Sequence, residues 1–347
     1  MKAKRFIFSV IVLCCTMVAG AQSNQSVTAI LQHLENDTET VKVYVGKEAF
    51  KNAYNDAVNG DVITLSSGSF DTPTDFQKEL SVYGAGYEED AESGTAVTTL
   101  NSHIYIRNVE SLSNLHFEGL RISGNIHCTI PVSKMVISKC FCNYMYLYGS
   151  SCTDITIQQC VIPYGVSGAN NTTKAENLIV KNCILGGVSI FDPTSIVKID
   201  HCLLLSKIQN TDKPYVYPFV YTNCIFGKRG EPVNILGSLQ YCIVSWYYSC
   251  NNPINVIDLR TAAVFTDGDW ASEYSADRTY TLLKPDEWIG NDGTQIGIHG
   301  GMGFSKVPST PVIRNMTVTP EGKKIKVNYE TNVRPVPTTN PDPESEP

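Results

Sequence analysis

The chain has 347 residues, 42% hydrophobic and 18% charged, with 27 Lys and Arg against 34 Asp and Glu for a formal net charge of −7. That acidic balance, with the basic residues scattered rather than clustered, argues against nucleic acid or an anionic membrane as partner. Beyond the N-terminus no stretch approaches the roughly eighteen unbroken apolar residues of a membrane span, so none is predicted.

The N-terminus reads as an export signal over residues 1–21: Lys2, Lys4 and Arg5, an apolar run from Phe6 to Val18, then Ala19-Gly20-Ala21 before Gln22. Cleavage between Ala21 and Gln22 leaves 24 basic against 34 acidic residues, a charge near −10, on a secreted or surface-attached chain. Acylation at Cys14 or Cys15 is the alternative, although both sit inside the apolar run without the preceding small residues. Residues 22–41 form an extension. Next, Ala49, Phe50, Ala53, Tyr54, Ala57 and Val58 share one helical face, and after Gly60-Asp61 a strand runs through Val62, Ile63 and Leu65.

From here a repeat takes over. The stretches NLHFEGLRI, KMVISKCFC, DITIQQCVI, NLIVKNCIL, IVKIDHCLL, PFVYTNCIF and LGSLQYCIV align on Leu120, Cys140, Cys160, Cys183, Cys202, Cys224 and Cys242, with spacings of 20, 20, 23, 19, 22 and 18. Apolar residues recur five and three positions before that column and two after it. Of these 28 slots only Gly237 is not apolar, whereas composition alone would fill about twelve. Two-residue steps are strand alternation, and the three-residue step across pairs such as Asp200-His201 is a bend. One unit cannot bury its own apolar face, so copies must stack with strands pairing in parallel about 4.8 Å apart. The prediction is an all-β solenoid over 42–305, followed by strands in 306–333 and a disordered Pro-rich tail in 334–347.

This pattern resembles the right-handed parallel β-helices of the pectin-lyase-like superfamily, with Asn182-Cys183 and Asn223-Cys224 like their coil bends. The resemblance implies the handedness, a three-sheet cross-section and an N-terminal capping helix at 49–58. LSVYGAGYE, from Leu80 to Glu88, continues it, and DGTQIGIHGGMGF, from Asp292 to Phe304, is similar to closing segments of secreted Bacteroidetes-type β-helix proteins. Lyases of that superfamily hold calcium with clustered Asp or Glu and use an Arg or Lys base.

Ten cysteines follow the signal, and export permits disulfides. Adjacent coils bring equivalent Cα atoms within disulfide range, but parallel Cβ vectors make the dihedral awkward. A mostly reduced ladder is the favoured reading, because Leu120 shares its column.

Stacking also allows paired carboxylates to be sought column by column, since glycosidases need two carboxyls roughly 5 to 9.5 Å apart. The slot two before the cysteine reads Glu118, Ser138, Gln158, Lys181, Asp200, Thr222 and Gln240, so its two acids lie four coils apart. The best catalytic candidates are Asp200 and His201 with Lys181 on the neighbouring coil, because a His beside an Asp can serve as general base. The structural alternative is a polar ladder at the bend. His103, His116 and His127 lack metal-ligand spacing, and no cofactor is implied. Calcium at Asp267, Asp269, Asp286 and Asp292 is possible, without an EF-hand pattern. Gly297, Gly300, Gly301 and Gly303 read as turn chemistry.

A ligand surface is the second candidate. Alternation puts Tyr144, Tyr146 and Tyr148 opposite Met145 and Leu147, and Trp246 and Tyr247 add aromatics on a later coil. The slot after the cysteine, Phe141, Val161, Ile184, Leu203, Ile225 and Ile243, is apolar yet points away from the core, so the N-terminal segment, the C-terminal strands or a partner should cover it. The expected function is binding of a polysaccharide, surface glycan or another surface ligand, without catalysis. A polysaccharide lyase or glycoside hydrolase with loop-borne residues, and an adhesive protein docking a partner, are the alternatives.

Overall fold

Strands recur through the chain in the order the repeat predicts, and they build an all-β parallel solenoid with one helix near its N-terminus. The structure, a computed structural model, describes residues 27–35, 38–90, 95–168, 173–190, 192, 194–205, 219–227, 233–244, 248–259, 263–268, 270–309, 312–321 and 324–332. The chain divides into two units, residues 26–310 and residues 1–25 with 311–347. In the second, Val312–Glu321 and Lys324–Asn332 pair as an antiparallel hairpin. Among the described residues no helix is long and apolar enough to cross a membrane.

Three sheets run along the solenoid. The first stacks parallel strands from Val62–Leu65 to Tyr248–Ile254, keeping Glu118, Ser138, Gln158, Lys181, Asp200, Thr222 and Gln240 in register. The second takes the two residues after each cysteine, such as Ile184–Leu185 and Leu203–Leu204. The third joins Ile104–Ile106, Ile126–Cys128, Tyr144–Leu147, Gly165–Gly168 and Val188–Ser189. All 28 slots of the repeat are buried, Gly237 included, which is what a continuous core between the sheets requires.

Sharp bends separate the first and second sheets. The residue before each cysteine lies in the left-handed region, with φ of 49° at Lys139, 53° at Gln159, 48° at Asn182 and His201, and 55° at Asn223. Residues with a Cβ disfavour this by about 1–2 kcal/mol. Each bend is held by its own N–H, which donates to a carbonyl one coil on: Asn182 to Asp200 at 3.0 Å, His201 to Thr222 at 3.1 Å and Asn223 to Gln240 at 3.0 Å.

Chemistry as well as size accounts for the cysteines that follow. The N–H groups of Cys140, Cys160, Cys183 and Cys202 donate to the Sγ of the next cysteine in the column at 3.4–3.5 Å. Each Sγ in turn lies within hydrogen-bond reach of a carbonyl one coil back, as Cys160 does with Ile137 at 3.5 Å. Leucine would fill the volume but has no atom to accept these N–H groups. The nine described cysteines with placed side chains are all buried and free, and burial pushes the Cys140 thiol up to about 12.

At the N-terminal end an antiparallel hairpin of Thr28–Glu35 and Thr38–Val45 adds to the first sheet beside Val62–Leu65. The helix spans Ala49–Asp56 and buries Ala49, Phe50, Ala53 and Tyr54. Ala57 is buried as expected, but Val58 is 49% exposed, because extended Ala57 ends the helix one residue earlier and turns Val58 outward.

The apolar stripe beyond the cysteines is covered, by a segment of the chain other than those expected. Val264, Phe265, Trp270, Tyr280, Leu282, Trp288, Ile296 and Ile298 form a second core with Val161, Ile184, Leu203, Ile225 and Ile243. Residues 264–304 therefore act as a strap across successive coils.

Candidate functional site

The strap fastens to the bends. Gln159 Nε2 donates to Gly303 O at 2.7 Å, and Asn182 Nδ2 donates to Ile298 O at 2.9 Å and Gly300 O at 2.8 Å. Asn223 exchanges bonds with Asn291, donating from Nδ2 to Oδ1 at 2.9 Å and accepting the backbone N–H at Oδ1 at 2.9 Å. Asn, at two of these positions, tolerates the left-handed region and carries an amide that reaches the strap.

His201 belongs to this column. Its ring is 1% exposed, with Nε2 donating to Thr294 Oγ1 at 3.1 Å. That hydroxyl also accepts the Gly301 N–H at 2.7 Å and donates to Asp292 Oδ1 at 2.9 Å. Nδ1 is 3.0 Å from Asp200 Oδ1 but out of line for a hydrogen bond. The strap backbone rests on the imidazole so closely that a Cβ on Gly300 would come within 2.5 Å of its Cδ2. Asp200 is 43% exposed and accepts from Asn223 Nδ2 at 3.1 Å. Lys181 is the in-register neighbour of Asp200, half-buried, with no ion pair to it among the described residues.

One carboxylate was passed over in the sequence because its column held no nearby partner. Glu118 is 4% exposed and accepts both the backbone N–H and the hydroxyl of Ser309, at 2.7 and 2.6 Å. His116 Nε2 stands 3.4 Å from its Oε2 and Lys139 Nζ 3.7 Å from its Oε1. Burial pushes this carboxyl up, but the neighbouring His116, Ser309 and Lys139 outweigh it and hold it at about 2. It is a second fastening, tying the segment just after the strap to the coils. Asp267 is spent likewise, accepting from Arg278 and from the Thr279 and Tyr280 N–H groups. Asp269 lies outside the described residues, and among those described no cluster of three or more His, Cys, Asp or Glu could hold a metal ion.

The third sheet carries the aromatic surface. Met145 and Leu147 are fully buried, and Tyr144, Tyr146 and Tyr148 face outward as alternation requires. Parallel register sets His127 between Tyr105 and Tyr146. Centroids are 4.9 Å apart for Tyr105–His127 and His127–Tyr146, 5.1 Å for Tyr146–Tyr144 and 5.0 Å for Tyr144–Tyr164, with planes 18–26° apart. Rings this close and this parallel overlap face on offset face. Most ring faces are therefore turned to one another, and the surface shows ring edges and phenol hydroxyls. Tyr148 leans on Tyr146 at 5.0 Å and is 40% exposed, and Tyr164 is 62% exposed. Burial, with neighbouring phenols adding to it, raises Tyr146, and burial raises Tyr148. Burial, then the neighbouring His103 and Arg107, pulls His127 below its ordinary value.

Tyr105, His127 and their neighbour His103, whose ring lies 5.3 Å from His127, were not recognised in the sequence as part of this surface. The signal was present: Ile104-Tyr105-Ile106, Ile126-His127-Cys128 and Met145-Tyr146-Leu147 each place a ring between two buried residues. Trp246 and Tyr247 lie outside the described residues. No family model, no curated protein and no solved structure matches the chain.

Proposed function

We propose that this is an exported β-helix protein that binds a glycan or another surface ligand through the aromatic face of its third sheet, without acting on it chemically. The observation that carries this reading is the run of outward rings from Tyr105 to Tyr164 across successive coils. Rings with a polar tip on a rigid sheet suit pyranose ligands, which offer both C–H surface and hydroxyls. The signal-like N-terminus supports export, and the resemblance to secreted pectin-lyase-like proteins supports polysaccharide as the ligand class. We read Asp200 and His201 as part of the latch that seats the strap. Their competing use as an acid–base pair with Lys181, in a lyase or hydrolase, draws on the exposure of Asp200 and Asp292, at 43% and 38%, on either side of His201.

One experiment separates these readings. Purified protein is incubated with plant, host and bacterial polysaccharides, with and without calcium, and both retention and released unsaturated or reducing ends are measured. Retention without product, reduced in a Tyr146→Ala/Tyr148→Ala variant, is the expected result. Released ends that vanish in Asp200→Asn would overturn it in favour of catalysis, and the absence of both signals would favour an adhesive protein.

A further inference from the structure

The aromatic ladder has two unlike ends. At one, the Arg107 guanidinium lies 4.6 Å from the centre of the Tyr105 ring, held by a 2.5 Å hydrogen bond from its Nε to Asp75 Oδ1. A fixed cation closes that face. At the other, Tyr164 stacks on Tyr144 and is 62% exposed, although its ring is large and apolar. One coil beyond Tyr164 and Gly165 stand Gly186 and Gly187, and the column of Tyr146 continues as Ser167 and Ser189. Gly165 and Gly186 are required by close backbone approach, since a Cβ on Gly165 would come within 2.2 Å of Gly187 O and one on Gly186 within 2.5 Å of Pro163 O. Their consequence, among the described residues, is a floor free of large side chains where the next ring of the ladder would stand.

We propose that this vacant rung is a subsite for one neutral pyranose ring of gluco configuration, its C–H face stacked on Tyr164 and its hydroxyls within reach of Ser167 and Ser189. The inference rests on the glycan reading above and narrows it. Equatorial hydroxyls leave both faces of such a ring apolar, as an exposed tyrosine face requires. Coil spacing of about 4.8 Å also sets the rung at the separation at which the protein's own rings already stack. The net acidic charge of the chain disfavours a uronate in the same place.

The test is titration of the full chain with cellohexaose, followed by saturation-transfer NMR and calorimetry, with a galacturonate hexamer as the charged comparison. Tyr164→Ala is expected to weaken cellohexaose binding by about tenfold or more, and Tyr164→Phe to stay within about threefold of the parent. Both variants should keep the parent melting temperature, because the side chain is mostly in solvent. Binding that survives Tyr164→Ala but is lost in Tyr146→Ala/Tyr148→Ala would overturn the subsite and leave the glycan reading standing, as would preference for the galacturonate. Failure of the parent protein to bind cellohexaose or any polysaccharide of the panel would sink both.

Discussion

A single carboxylate shows how the polar column contributes to stability. Glu118 is buried, yet its hydrogen bonds with Ser309 and the nearby His116 and Lys139 hold it at about 2, against an ordinary value near 4.5. A carboxyl held below its unfolded value stabilises the fold above that value, and the contribution is lost as the pH falls from about 4.5 to about 2. Its ceiling is about 3 kcal/mol. Urea midpoints of the parent and Glu118→Gln should therefore differ most above pH 5 and converge towards pH 2. A gap that stays constant over that range would show that the charge on Glu118 contributes nothing. Asn182 acts differently: both of its amide protons are committed to strap carbonyls, so its contribution should not follow pH.

At the scale of elements, the strap over residues 264–304 is the least regular part of the solenoid unit and also what keeps the second sheet out of water. The outward apolar stripe would otherwise be a contiguous exposed patch of the kind that drives association. Trp288, 8% exposed like Trp270, packs a large aromatic ring into that second core from the strap side. Trp288→Ala should lower stability by about 3 kcal/mol and raise binding of a hydrophobic dye, while the far-ultraviolet signal of the coils persists. Loss of the whole β signal at the same midpoint would instead make strap and coils one cooperative unit.

For the molecule as a whole, a solenoid whose coils touched only their neighbours would tolerate removal of a repeat. This one is cross-braced. Gln159, Asn182, His201 and Asn223 on successive coils meet Gly303, Ile298 and Gly300, Thr294, and Asn291, so the strap runs antiparallel to the coil order. Deleting residues 161–183, one coil from Val161 to Cys183, leaves the core columns continuous but makes the strap one coil too long. The expected outcome is a folded protein with a clearly lower urea midpoint and increased dye binding. An unchanged midpoint would mean that the strap can slip, and that these bonds do not set its register.

The parallel solenoid was legible because its period repeats in one dimension: Cys140, Cys160, Cys183, Cys202, Cys224 and Cys242 and the apolar slots around them recur at coil length, and local alternation suffices to assign faces. The outward placement of Tyr144 and Tyr146 follows from the same rule. Contacts between residues far apart in the chain carry no such period. That Glu118 meets Ser309, that His201 lies under Gly300, and that residues 264–304 rather than a terminal segment cover Ile184 and Leu203, depend on where an irregular segment settles. The aromatic ladder lies between these cases. Its outward positions follow from alternation, but the mutual stacking that hides most ring faces, the Arg107 closure at one end and the open Tyr164 face at the other arise only when side chains from separate coils compete for the same space.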